Sequence, residues 1–240
     1  MSQRVALVFG GTRGIGAAAV QALAETGFDV GYTGTQPAPA TPQSRAGRTI
    51  RVYQADVQKP DQVAAVFAQA AGDFGRTIDC VIVNAGIITP ATPVAQFDPE
   101  QFRRLMEVNL FGAFNVLAEA ARRVADGGNI IALTSSLVRH AAPGFGPYSA
   151  SKAAVESLVR AMARELSPRK VRVNAVAPGP VDTDLFRAGK TEEAKQRSAA
   201  LSPLNRVGEP SEVAQVIAFL ASDRASWVHG QVVQPNGGLV

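Results

Sequence analysis

The chain has 240 residues, 46% of them hydrophobic and 18% charged, enough apolar material for one large core and too much for a disordered chain. Its net charge of +4 is spread out: Arg122 with Arg123 and Arg169 with Lys170 are pairs rather than runs, which argues against nucleic acid and membrane surfaces as partners. One cysteine, Cys80, excludes an internal disulfide and a cysteine-based metal centre. No apolar run has bilayer length, and no leader-like segment precedes the first strand pattern, so a cytoplasmic protein is expected.

RVALVF at 4–9 reads as a strand and runs directly into Gly10-Gly-Thr-Arg-Gly14-Ile-Gly16, followed by the helical pattern AAAVQALAET, which Gly27 stops. A strand, a glycine-rich turn and a helix form a phosphate-binding unit, because the helix N-terminus offers free N–H groups and a positive dipole end. The spacing is G-x-x-x-G-x-G rather than G-x-G-x-x-G. The second strand, 28–33, ends at Thr33, Gly34, Thr35 and Gln36, and no acidic residue occurs between Asp29 and Asp56. A carboxylate there would take ribose hydroxyls and repel a 2′-phosphate; hydroxyls with a guanidinium (Arg13, Arg45 or Arg48) would hold one, so NADP(H) is favoured over NAD(H). The loop 36–47 reads mostly as variable surface.

A third strand, 50–53, leads to Asp56-Val57. A helix follows from Pro60 to Phe74, then a very apolar strand, 78–83, ending at Asn84-Ala85-Gly86. Within the amphipathic segment 99–124, Asn109 places an amide among apolar residues, either as a core group bonded to backbone or as a functional one.

The stretch 130–152, IIALTSSLVRHAAPGFGPYSASK, passes from a strand through a Pro/Gly loop into a long helix. Tyr148 and Lys152, four residues apart, share one face of that helix, and a neighbouring ammonium is expected to lower the phenol's pKa. Ser135 and Ser136 end the strand near the same place. A strand at 171–177 gives way to Pro178-Gly-Pro-Val-Asp-Thr183. Residues 184–206 are charged with a few apolar anchors, as in a lid; a helix at 209–220 and a short strand at 231–234 finish the chain. Strands alternating with helices predict a single-domain α/β fold over 1–240: a Rossmann-like, doubly wound parallel sheet of about seven strands, with helices on both faces and ligands at the strands' carboxyl ends.

With these motifs in this order, the chain resembles the short-chain dehydrogenases/reductases along its whole length, most closely an NADP-type, 3-oxoacyl-reductase-like group. The resemblance implies a ketone reductase or secondary-alcohol dehydrogenase with catalytic Asn109, Ser136, Tyr148 and Lys152. Tyr148 would be the acid/base, Lys152 would lower its pKa and hold the nicotinamide ribose, and Asn109 would bind a relay water through its main chain. Gly10, Thr12, Arg13, Gly14, Ile15, Gly16, Thr33, Thr35, Asp56, Val57, Asn84, Ala85, Gly86, Pro178, Gly179, Val181 and Thr183, with Tyr148 and Lys152, would bind the cofactor.

Ser136, Leu137, Phe145, Tyr148, Pro180 and Phe186 would meet an apolar, ring or acyl ketone. Ile87, Ile88 and Val138 would also line that pocket, with His140 at its rim. The strand's alternation favours Ser136 as the catalytic serine; Ser135 would restore the family's more frequent interval to the tyrosine. Phe9 and Val83 depart from the family pattern. Arg169 and Lys170 are the candidate dock for an acidic carrier protein. Family members are usually tetramers or dimers, and Trp227 is the expected contact. The alternative is an NADP-sensing regulator that has no catalytic activity.

Overall fold

The structure, a computed structural model, describes residues 3–37, 41–188 and 190–240. Its elements in chain order are β1 (Arg4–Phe9), α1 (Gly14–Glu25), β2 (Phe28–Gly34), β3 (Gln43–Arg45), β4 (Arg48–Gln54), α2 (Pro60–Phe74), β5 (Ile78–Val83), α3 (Pro99–Met106), a π-helical turn (Glu107–Gly112), α4 (Ala113–Arg123), β6 (Val124–Leu133), α5 (Leu137–His140), α6 (Gly146–Glu165), β7 (Arg172–Val176), α7 (Asp184–Arg187), α8 (Glu192–Ala200), α9 (Pro210–Ala221) and β8 (Val232–Val233). The strands form one eight-stranded sheet in the order β3-β4-β2-β1-β5-β6-β7-β8. All pairings are parallel except β3 with β4.

Strand alternation divides the core between the two faces. Val5, Leu7, Phe9, Val81, Val83, Ile130 and Ala132 pack with Val63 and Phe67 of α2, Val116 and Leu117 of α4, and Val155 and Val159 of α6. Ala6, Val8, Cys80, Ile82, Ile131 and Leu133 face Val20 and Leu23 of α1 and Val213, Ile217 and Leu220 of α9. Each fully buried aliphatic side chain contributes about 1.5–3 kcal/mol, so the two interfaces dominate the stability of the sheet. Cys80 is wholly buried, and that burial pushes its thiol up to about 12, which leaves it chemically inert.

The eighth strand is β3, inside the loop 36–47 expected to be plain surface. Residues 38–40 of that loop lie outside the described residues, but 43–45 pair antiparallel with Arg48 to Ile50. The two-residue turn between them uses Ala46 and Gly47, both at positive φ (50° and 71°), as tight hairpins require. All three β3 residues are exposed, so no apolar alternation marks the strand.

Strand order reverses between β1 and β5, so their following loops diverge and open a crevice. The crevice floor is set by close packing. Gly10 (φ 87°) approaches Ala85 so nearly that a Cβ would stand 2.8 Å from its Cα, and a Cβ on Gly16 would stand 2.0 Å from the Gly10 carbonyl oxygen. Gly16→Ala is therefore expected to cost roughly 3 kcal/mol in urea unfolding. Gly72→Ala, in the exposed interior of α2 with open space around its Cα, should stabilise by about 0.5–1 kcal/mol.

Candidate active site

Two adjoining concavities occupy the carboxyl edge of the sheet. The groove over the crevice is lined by Gly10, Thr12, Arg13, Gly14, Ile15, Thr33, Thr35, Asp56, Val57, Asn84, Ala85, Gly86 and Thr183, all expected cofactor positions. Asn84 Nδ2 donates to the Gly10 carbonyl at 2.7 Å, and the Thr33 hydroxyl accepts from Gly10 N–H at 3.0 Å, so these side chains hold the glycine turn in shape. α1 begins here with no side chain capping its N-terminus, which leaves N–H donors toward the groove. Glycine backbone at an uncapped helix start fits a pyrophosphate. Of the three arginines considered for a 2′-phosphate, only Arg13 lines the groove; Arg45 pairs with Glu25 at 3.3 Å and Arg48 lies elsewhere. Gln36, just beyond the end of β2, lines it as well, and so do Gln58, Arg104 and Val108, which carried no sequence signal.

Gly16 lies beneath the groove, and Pro178, Gly179 and Val181 line the second concavity, a cavity of about 230 Å³. The expected substrate residues Ser136, Leu137, Phe145, Tyr148, Pro180 and Phe186 all line this cavity, together with Ser135, Ile88, His140, Leu185, Leu201 and Leu239. Ile87 faces the groove instead, and Val138 lines neither. The segment 184–206 closes one side with α7 and α8, capped by Thr183, which accepts from Phe186 N–H, and by Thr191, which accepts from Ala194 N–H.

Tyr148 sits in the first turn of α6, and Lys152 follows one turn later, buried. Its ammonium donates to the Leu133 carbonyl at 3.0 Å. A Cβ on Gly86 would lie 3.3 Å from Lys152 Nζ and 3.2 Å from Asn109 Oδ1, so the groove and α6 meet at that glycine. Asn109, fully buried in the π-helical turn, accepts from Ile87 N–H at 2.8 Å and donates to the Ile87 carbonyl at 2.9 Å and to Ser151 Oγ at 3.2 Å. Its side chain therefore clamps the chain after β5 to α6, by way of a residue whose own hydroxyl donates to the Tyr148 carbonyl at 2.7 Å.

Two expectations are corrected. The serine that meets Tyr148 is Ser135, whose hydrogen bond lowers the phenol's pKa. Ser136 lines the cavity, but its hydroxyl is committed to the Ala177 carbonyl at 2.7 Å and its N–H to the Pro178 carbonyl at 3.0 Å. Nor does Lys152 govern the tyrosine. Desolvation outweighs the other influences on the phenol and pushes it up to about 12, and the same effect pushes the Lys152 ammonium down to about 8. Arg169, the candidate carrier-protein contact, is occupied by Asp126 at 2.7 Å and by the carbonyls of Ala121 and Val124.

The sequence profile of a family described as Enoyl-(Acyl carrier protein) reductase matches residues 10–240. A "Short-chain type dehydrogenase/reductase" of Picea abies is 43% identical over 251 residues, covering 99% of this chain and 92% of that protein. The chain belongs to the short-chain dehydrogenase/reductase family. An Arabidopsis thaliana relative named "NADPH-dependent aldehyde reductase-like protein, chloroplastic" is 40% identical over 100% of this chain and 95% of its own length. The crystal structure of a dehydrogenase/reductase from Sinorhizobium meliloti 1021 superposes with a TM-score of 0.88 at 29% identity, covering 100% of this chain and 96% of that one. These relatives make the protein an oxidoreductase acting on carbonyl or CH–OH groups. Among the described residues no helix is long and apolar enough to cross a membrane.

The Lys152 ammonium is depressed from its usual value of about 10.5 to about 8, so the unfolded chain binds more protons between those pH values. Wild-type stability should therefore rise relative to Lys152→Met from pH 8 to 10.5, by roughly 3 kcal/mol, as read from urea unfolding across that window. Parallel curves would mean that Lys152 carries no desolvation penalty.

Proposed function

We propose that the protein is an NADP(H)-dependent reductase of ketones, or in reverse a dehydrogenase of secondary alcohols. The observation that carries this reading is a phenol, Tyr148, on the wall of a largely apolar cavity, beside Ser135 and one helical turn from the buried Lys152. With its pKa near 12, Tyr148 holds its proton throughout the neutral range, as a donor to a carbonyl oxygen must. Ser135 hydrogen-bonds the same oxygen and steers it to the phenol. Lys152 spends one N–H on Leu133, keeps two for the nicotinamide ribose, and offers positive charge where the oxygen becomes anionic.

NADP(H), when bound, supplies or takes up the hydride. The glycine turn at 10–16 and the start of α1 would hold its pyrophosphate, Arg13 with Thr12 and Thr35 its 2′-phosphate, Asp56 and Val57 its adenine, 84–86 and Lys152 its ribose, and Val181 and Thr183 its carboxamide. Asn109 positions α6 through its side chain and offers main-chain groups of the π-helical turn to a relay water. The segment 184–206 serves as the substrate lid.

The NADP preference is supported by Thr35 and Gln36 standing in the groove where an acid would select NAD, and by the name of the Arabidopsis relative. A cofactor sensor on the same fold has no use for the Tyr148–Ser135 pair inside a second cavity, which favours the catalytic reading.

Tyr148→Phe should lower kcat by about a thousandfold or more while leaving NADPH affinity within about twofold, a split that full activity in the variant would contradict. Ser135→Ala should lower kcat by roughly a hundredfold. Ser136→Ala should cost about 1–2 kcal/mol in unfolding, because it orphans the buried Ala177 carbonyl. The proposed unit is a homodimer or homotetramer, supported by Trp227 at 98% exposure and by Phe111 and Phe114, each about half exposed. Light scattering should give a multiple of the 25.1 kDa chain mass, and Trp227→Ser should weaken the assembly; a monomer at micromolar concentration would contradict it.

A further inference from the structure

The substrate cavity is walled mainly by apolar side chains, among them Leu137, Phe145, Phe186, Leu201 and Leu239, with hydroxyl groups and His140 between them, and Lys190 also lines it. Nζ of Lys190 donates to the Phe186 carbonyl at 2.8 Å and stands 4.4 Å from the centroid of the Phe186 ring. Of the other four cations on the segment, three sit in ion pairs and Arg197 has none among the described residues. Arg187 pairs with Asp182 at 2.5 Å, Lys195 with Glu192 at 2.7 Å and Arg206 with Glu212 at 2.7 Å. Lys190 has no carboxylate partner among the described residues. Burial pushes its pKa down from the ordinary lysine value.

An ammonium has three donors, and Lys190 spends one on a carbonyl while the ring covers a second side. A partly buried cation costs free energy that a paired anion offsets. The cavity already provides a site for a carbonyl oxygen at Tyr148 and Ser135, so a second polar station on the lid selects a second polar group on the ligand. His140 and Ser198 line the same cavity, and the Ser198 hydroxyl is committed to the Ala194 carbonyl at 2.9 Å.

We propose that Lys190 receives an anionic group of the substrate, so that the preferred substrates are ring or acyl ketones bearing an ionised acid away from the reacting carbonyl. The inference rests on reading this cavity as the site of carbonyl reduction. It adds to that reading a chemical class and a residue that selects it: the lid closes on the substrate through an ion pair as well as through apolar contact.

The test uses the full-length protein saturated with NADPH. Turnover is compared on 4-oxocyclohexanecarboxylate and its methyl ester, and binding of cyclohexanecarboxylate and cyclohexanecarboxamide is measured by calorimetry. Wild type should favour the acid over the ester by roughly tenfold or more in kcat/KM, mainly through KM, and the carboxylate over the amide by a similar factor in Kd. Lys190→Met should bring acid and ester to within about twofold, and Lys190→Arg should keep most of the preference.

Equal use of acid and ester by wild type, or a preference that survives in Lys190→Met, would overturn the assignment. A carboxylate preference in binding that Lys190→Met abolishes, with no turnover of either ketone or of acyl thioester ketones, quinones and aldoses, would uphold the anion site and contradict the reductase reading. Turnover without any anion preference would do the reverse.

Discussion

The hydrogen bond from Asn84 Nδ2 to the Gly10 carbonyl ties together the two loops that the sheet's reversal pulls apart. Parallel strands deliver their carboxyl ends to one edge, but between β1 and β5 the connections leave in opposite directions and would open a gap. Asn84 bridges that gap, and Gly10 and Gly16 have no side chains because Ala85 and the Gly10 carbonyl fill the space. Gly86, two residues further on, brings the same loop against Lys152 and Asn109. One packed junction thus sets where the groove ends and where α6 packs against it.

Dehydration governs the chemistry at that junction. The apolar surroundings that seal Tyr148 and Lys152 from water raise the phenol and lower the ammonium, so both groups are shifted toward their neutral forms. For Tyr148 this favours the proton donor. Lys152, near 8, remains largely charged at neutral pH but close to the limit of what its enclosure allows. Asn109 keeps the arrangement rigid by saturating both backbone groups of Ile87, and the Ser151 it reaches is bonded to the Tyr148 carbonyl. A buried polar network of this kind positions α6 because each of its bonds would be costly to leave unmade.

Most of the architecture was legible in the sequence, because buried parallel strands are short apolar runs and the turns after them carry glycine, asparagine and proline. The groove residues followed from strand ends, since topology alone places those ends together. What was not legible depended on local backbone phase and on solvation. Counting alternation into 135 and 136 fails because β6 stops at Leu133 and Ser136 is already αR, entering α5, so its hydroxyl swings to β7. β3 escaped notice because an exposed three-residue strand on an Ala-Gly turn has no apolar pattern to read. The direction of the tyrosine shift reversed because a lysine four residues away signals charge, whereas the depth of the pocket, which has no signature in spacing, decides the balance. The place of Lys190 on the cavity wall belongs to the same class.

The most direct test of a nicotinamide-dependent carbonyl site is to titrate the purified protein with NADPH and with NADH. Oxidation of each is then followed against a panel of acyl thioester ketones, cyclic ketones, quinones and aldoses. The account predicts tighter binding of NADPH and turnover confined to one class of carbonyl compound. Tight NADH binding would contradict the role given to Arg13, and NADPH binding without turnover across the panel would contradict the role given to Tyr148.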